Sequence, residues 1–350
     1  MFWVIAAALA AQSTPATEPK PAPRISPLPT VQVQAIGETQ AVASARDAAD
    51  DPAIWRNPRR SARSLIVATD KQSGLNVYDL DGKLLSTLPV GRVNNVDLRT
   101  LMVRGRPHII VTASDRNDKA DGKLAMFELD TDRGMLRDLG RARAAPGEAY
   151  GLCMYQPRRN ALYAFIVMKD GTISQMRIDW TPDGPAEIEA NVVRTMKLAT
   201  QSEGCVADDR TGTLFVAEED VGIWRFGADP GDAVEGKLVA PVDDARLFAD
   251  VEGLAIAAKG SRGGWLVASS QGDSSYTAFR LPDMGYAGRF KIAAGAFGAT
   301  SDTDGIEINT ARFGGGRNGM MIAQDGDNAP SAQNFKIIRW SDVVKALKLR

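Results

Sequence analysis

The sequence predicts an all-β fold, a six-bladed β-propeller, and three observations carry that reading. Six apolar, strand-like runs, at residues 65–70, 109–115, 162–170, 214–220, 265–271 and 320–325, each end in a polar, mostly acidic turn. Their starts lie 44, 53, 52, 51 and 55 residues apart, and a period near fifty marks a repeat architecture. After each turn, glycine or a short polar connection leads into a second run, at 74–80, 122–129, 171–178, 222–226, 275–281 and 334–340. Several of these alternate apolar and polar residues, which is the pattern of β-hairpins. Helical periodicity is scarce, with one short turn expected over 342–349. Six hairpins, with room for two further strands in each unit, give six four-stranded blades around a channel. A β-sandwich is the rival, but it lacks so regular a long period.

The ends of the chain and its charges set further bounds. Residues 1–11 are apolar and finish on Ala8-Leu9-Ala10, the small-x-small pattern of a signal peptide, and the run is too short to span a bilayer. Residues 12–30 hold Pro15, Pro19, Pro21, Pro23, Pro27 and Pro29 and read as a stiff linker, leaving 31–350 as a single propeller domain. An exported protein is expected, periplasmic or extracellular. The 43 acidic and 42 basic residues are scattered, and no basic block points to nucleic acid. Export permits a disulfide between Cys153 and Cys205, but the residues by themselves favour two buried apolar thiols.

The chemistry suggested is that of oxygen ligands and cations, because the chain has one histidine. Acids cluster at Asp47 with Asp50-Asp51, at Glu203, Glu218-Glu219-Asp220, Asp250 with Glu252, Asp302 with Asp304, and Asp325 with Asp327. Any one of these is a solvated or Asx turn. In a propeller the equivalent turns share one end, and so many carboxylates there repel one another unless cations sit among them. Several calcium ions, with six to eight oxygen ligands in irregular geometry, are the natural partners. Zinc, copper and iron are disfavoured without a histidine or cysteine cluster. Residues 115–122 depart from the EF-hand spacing because Lys119 takes an acidic position. His108 reads as structural. Among the interleaved cations Lys71, Arg92, Arg99, Arg116 and Lys169, three (Lys71, Arg116 and Lys169) lie in or next to the repeating turns, where they favour anions and phosphate best.

The chain resembles the β-propeller phytases, the calcium-dependent alkaline phytases of bacteria, over residues 37–340. The resemblance rests, in order, on the segments 47–55, 73–80, 94–99, 203–204, 217–224, 250–254, 268–276, 300–305, 323–328 and 333–336. It implies a six-bladed propeller, export, and hydrolysis of phosphate esters of myo-inositol hexakisphosphate. It also implies calcium ligands at Glu38, Asp50, Asp51, Glu203, Glu219, Asp250, Glu252, Gln271, Asp304 and Asn328. Lys71, Arg116, Tyr150 and Lys169 match positions that contact substrate phosphates. Two positions depart from the family: Gln72 replaces a second lysine, and Gly298 replaces an aspartate ligand. The mechanism expected is attack by a metal-activated water, with Glu203 assisting and Lys71, Arg116 and Lys169 stabilising the transferring phosphoryl group. No phosphoenzyme is expected, since serine and cysteine lack a histidine base. A calcium-dependent propeller lactonase or esterase and a non-catalytic calcium-stabilised scaffold are the alternatives. The closed ring is expected to be a monomer with no membrane span.

Overall fold

The computed structural model describes residues 24–159, 161–180, 188–314 and 317–350. Six sheets follow one another along the chain. Blade 1 is built from Ala49–Trp55, Leu65–Asp70, Gly74–Asp79 and Leu84–Pro89, paired in antiparallel order from the innermost strand outward. The innermost strands of blades 2 to 6 begin at Val93, Ala149, Ser202, Val251 and Ile306 and pack side by side around a closed ring. The six acidic-ended runs of the sequence are the second strand of every blade, and the runs that follow them are the third. The short helix at the end, Trp340–Ala346, begins two residues earlier than its polar face suggests, because the Trp340 indole is buried against blade 6.

Ring closure comes from the N-terminal side. The fourth strand of blade 6 is Gly37–Glu38, antiparallel to Asn334–Arg339. Just before it, Thr30–Gln34 adds a parallel fifth strand to blade 5, alongside Gly285–Ala293. The described part of the expected linker, from residue 24, runs along the same blade: Arg24 N–H donates to Gly272 O and the Ser26 hydroxyl to Ala245 O. The expected signal peptide and linker residues 12–23 lie outside the described residues.

Apolar side chains gather into six clusters among the described residues, one at each interface between neighbouring blades. Blades 1 and 2, for instance, share Val67, Val77, Val111 and Phe127. Each such side chain removed from water contributes roughly 1.5–3 kcal/mol, so every blade is held by two flanks.

The preference for free thiols is corrected here. Cys153 and Cys205 form a disulfide with a Cα–Cα distance of 5.6 Å, joining the innermost strands of blades 3 and 4. Their separation of 52 residues is one blade repeat, which sets the two cysteines side by side around the channel.

The neck of the channel is narrow enough to exclude side chains. A Cβ on Gly151 would lie 1.8 Å from Glu203 O, and one on Gly204 2.0 Å from Glu252 O. Glycine at these points lets adjacent backbones touch, so that Glu203 and Glu252 converge. Gly204→Ala is therefore expected to lower stability by about 1–3 kcal/mol in urea denaturation; an unchanged midpoint would contradict this account of the neck.

Candidate active site

The two sets of residues at one mouth of the channel occupy repeated backbone positions. In five blades the register between the first and second strands breaks just after the first residue of the innermost strand. The residue released by the break is Asp50, Asn94, Tyr150, Glu203 or Glu252, and Asp304 precedes the sixth innermost strand at the corresponding point. A wider set comes from the residue directly after each second strand: Lys71, Arg116, Lys169, Glu219, Gln271 and Gly326. The first five are fixed identically, each backbone N–H donating to the carbonyl of the segment entering its own blade: Ala48, Arg92, Glu148, Gln201 and Asp250, at 2.7–3.1 Å. Lys71, Tyr150, Glu203, Glu219, Glu252, Gln271, Asp304 and Gly326 from these two sets line a cavity of about 560 Å³.

One half of this mouth is acidic. Single carboxylate oxygens of Glu203, Glu219 and Glu252 all lie within 4.8 Å of one another, and the three side chains are buried. Asp250 lines the same cavity, and Gln271 Nε2 donates to Asp304 Oδ1 at 2.6 Å. Burial, then the Asp304 charge, raises Glu203 to about 7. Burial and the Asp250 charge raise Glu219 to about 7 against the hydrogen bonds from Gln201, and burial with the Asp50 charge raises Asp304 to about 7 against Lys71. Burial raises Asp50 to about 8 against the Lys71 charge, while burial and the Glu203 charge push Glu252 well above the carboxylate range. Two buried oxygens here, Asp50 Oδ1 and Glu252 Oε2, have no hydrogen-bond partner. An all-oxygen set with orphaned buried acceptors fits a hard divalent cation.

The other half is cationic. Lys71 Nζ lies 2.8 Å from Asp47, 3.2 Å from Asp50 and 3.4 Å from Asp304. Burial lowers its affinity for a proton, but these acids outweigh burial and hold the ammonium above the usual lysine range. Tyr150 presents its ring to both remaining cations, with Lys169 Nζ 5.1 Å and the Arg116 guanidinium 5.7 Å from the centroid. Its phenol is held above the ordinary tyrosine range, by the Glu203 charge first and burial second. Glu148 pairs with Arg116 at 3.1 Å, and Asn94 bonds both Arg116 and Glu203 Oε1. A mouth with Glu203, Glu219, Asp250, Glu252 and Asp304 on blades 4 to 6, and Lys71, Arg116 and Lys169 on blades 1 to 3 beside Asp47 and Asp50, can hold an anion between a metal and fixed positive charge.

A family model described as Phytase matches residues 2–349. The chain belongs to the phytase family. A relative described as 3-phytase, from Bacillus subtilis (strain 168), is 38% identical over 330 residues, covering 90% of this chain and 85% of its own length. Among solved structures, Chaetomium thermophilum Sqt1 bound to the N-terminus of the ribosomal protein L10 matches with a TM-score of 0.44 and 13% identity, covering 81% of this chain and 74% of that one. That likeness carries no argument here.

Not all the residues matched to this family's calcium positions meet at the mouth. Asp51 points down the channel, where its Oδ2 accepts the Val96 N–H at 3.0 Å; burial and that bond compete, and burial prevails, so its pKa stands well above the usual range. Arg99, one of the interleaved cations, lies away from the cavity with Asp97 and Asp209. Glu38 lies at the outer side of blade 6 instead, close to Asn328, which does line the cavity. There the fully buried Lys336 ammonium reaches Glu38 at 2.5 Å, Asp325 at 3.1 Å and Asn328 Oδ1 at 3.1 Å. Its three N–H donors match three acceptors. A Cβ on Gly298 would already stand 3.2 Å from Nζ. As folded, this set does not fit a calcium ion, because an ammonium fills the point where its oxygens converge. Gln72, the other departure, fastens the loop that presents Asp47, donating to Ala45 O and Asp47 O at 3.0 and 2.8 Å.

The acidic turns divide in a way their composition does not reveal. Asp70, Asp115, Glu218 and Asp325, the last residues of their strands, turn into the blades and are held there by Ser44 N–H, Arg141, the Trp224 indole and Lys336. The next residue along serves the cavity. Glu148 and Asn94 were missed as site residues because neither is an acid or cation within the repeated turn. His108 is bonded to Glu128 at 2.7 Å and lies tilted against Trp180, with ring centroids 4.9 Å apart.

Two measurements check this electrostatic account. Asp50, Glu203, Glu219 and Asp304 have raised pKa values when folded, so their protonated forms favour folding, and that contribution is lost as pH rises through about 7 to 8. The metal-free protein should melt at a lower temperature at pH 9 than at pH 5.5, and added divalent cation should raise the melting temperature more at pH 9. A metal effect independent of pH would count against the cavity as the metal site. Lys336→Met should cost about 3–5 kcal/mol by stranding buried carboxylates, in urea unfolding with chelator as well as with calcium. A loss seen only in calcium would show that the ion, rather than the ammonium, holds this corner.

Proposed function

We infer that the chain is a calcium-dependent phosphomonoester hydrolase that releases phosphate from myo-inositol hexakisphosphate, of the 3-phytase type. Phytase family membership and the 3-phytase relative supply the substrate class. The observation that carries the site assignment is one cavity lined by Lys71, Tyr150 and the Glu203–Glu219–Glu252 cluster, with Arg116 and Lys169 held against the Tyr150 ring.

Calcium would be held by Glu203, Glu219, Asp250, Glu252 and Asp304, with Asp50 and Gln271 beside them, and the chemistry it supplies when bound is Lewis acidity toward phosphate and water. Lys71, Arg116 and Lys169 would bind the substrate's phosphate oxygens and carry the charge that builds up as the phosphoryl group transfers. Tyr150 orients two of those cations through its ring. Asn94 fixes Glu203 at Oε1, which sets the carboxylate where it can accept a proton from the attacking water. The Cys153–Cys205 bridge supports export into an oxidising compartment. No helix among the described residues is long and apolar enough to cross a membrane.

Phosphate release from phytate, followed while calcium is titrated, tests the reading. Activity should vanish with chelator and return with calcium; full turnover in excess chelator sinks the proposal. Lys169→Ala, at an exposed side chain, should lower kcat/KM on the order of a hundredfold while leaving the calcium-dependent melting temperature unchanged. Unaltered turnover removes Lys169 from the site.

A further inference from the structure

The opposite end of the ring carries a charge pattern that the site does not use. Here short loops join the first strand of each blade to the second. In blades 1 to 3 these loops, residues 56–64, 104–105 and 159–160, contain several arginines and no acidic residue. Arg59, Arg60 and Arg63 in blade 1, Arg106 at the start of the next strand in blade 2, and Arg158 and Arg159 in blade 3 are all exposed. The loops are knitted together: Arg56 Nε donates to Arg312 O of blade 6 at 3.0 Å, and Met102 N–H donates to Arg159 O at 3.1 Å. Arg59, Arg60 and Arg63 line a cleft of about 720 Å³ with Arg133.

Asp79 and the exposed Asp132 also line this cleft, and several other acids on this side are paired. In the outer turn of blade 1, Asp79 accepts the N–H groups of Asp81 and Lys83. In that of blade 2, Asp130 accepts those of Asp132 and Arg133 and pairs with the Arg133 side chain. In blade 4, Asp208 is paired with Arg210 and Asp209 with Arg99. Overall the chain is near neutrality, at −1, so the excess of cations here is the counterpart of the acidic mouth at the other end.

We propose that this arginine face is a docking surface for an anionic phospholipid bilayer. Guanidinium forks match phosphate oxygens in pairs, and a surface so rich in arginine over lysine suits phosphate. The cations spread over adjoining loops of three consecutive blades, 1, 2 and 3, which forms a broad face around that cleft. The three loops contain no aromatic residue on which bases of a single strand could stack. The negative surface potential of such a bilayer attracts this end and repels the acidic mouth. Docking therefore orients the molecule with its catalytic cavity toward water. Attachment is peripheral and by charge alone.

Co-sedimentation of the calcium-loaded chain with vesicles tests this, comparing pure phosphatidylcholine with a mixture containing phosphatidylglycerol. The chain should sediment with the mixed vesicles only, and high salt should release it. At roughly fivefold per basic residue, the combined variant Arg59→Gln, Arg60→Gln and Arg63→Gln should weaken partitioning on the order of a hundredfold. A second variant, Arg158→Gln with Arg159→Gln, should weaken it about twentyfold. Both should keep the parent's melting temperature and its phosphate release in solution. Equal binding to neutral vesicles, undiminished partitioning of both variants, or capture of a nucleic-acid duplex without capture of vesicles would overturn the proposal.

Discussion

Repulsion among Asp50, Glu203, Glu219, Glu252 and Asp304 is the force around which the rest of the molecule is arranged. These carboxylates are drawn together in a partly dehydrated mouth, where each raises the proton affinity of the others. Left alone, such a cluster would push the innermost strands apart. The ring resists through covalent and apolar means: a disulfide between blades 3 and 4, six interfaces of packed apolar side chains, and glycines that let neighbouring backbones touch at the neck. Protonation relieves this repulsion in part, and a divalent cation held among these oxygens would relieve it further.

The repeat turns this constraint into a functional device. A propeller offers the same backbone position six times around an axis, and the backbone bonds that fix Lys71, Arg116, Lys169, Glu219 and Gln271 are alike. Only the side chain differs from blade to blade. Lys71, Arg116 and Lys169 hold this position in three consecutive blades and Glu219, Gln271 and Gly326 in the others, and together with Glu203, Glu252 and Asp304 on the inner side they polarise the mouth. Lys71 is the hinge between the halves, since it neutralises Asp47, Asp50 and Asp304 while presenting its ammonium to the cavity.

Elsewhere the chain meets its own charge with internal cations. Lys336 balances Glu38 and Asp325 where the closing strand joins blade 6, and Arg289 balances the buried Asp273 in blade 5. The closing strand is only two residues long, so the Lys336–Glu38 contact fastens a seam that backbone hydrogen bonds alone hold weakly. Gly298 is exposed beside this corner, and a Cβ there would meet only the end of the Lys336 side chain, 3.2 Å from Nζ.

By itself the sequence determined the number of blades, the strand order within them and the oxygen-rich chemistry, because period, hairpin connections and residue type are local properties. Its motifs also named the family, since Asp50, Glu203, Glu252 and Asp304 stand in recognisable segments. Only the tertiary structure decided which acids face the cavity. A side chain one residue further along a turn points the opposite way, so Glu218 serves the blade and Glu219 the site. Closure of the ring likewise paired two cysteines one repeat apart, placed Lys336 among residues nearly three hundred positions away, and enlisted Asn94 and Glu148. It also gathered arginines that are scattered in sequence onto one face. Distances around a closed ring are fixed by packing between blades, and no local pattern records them.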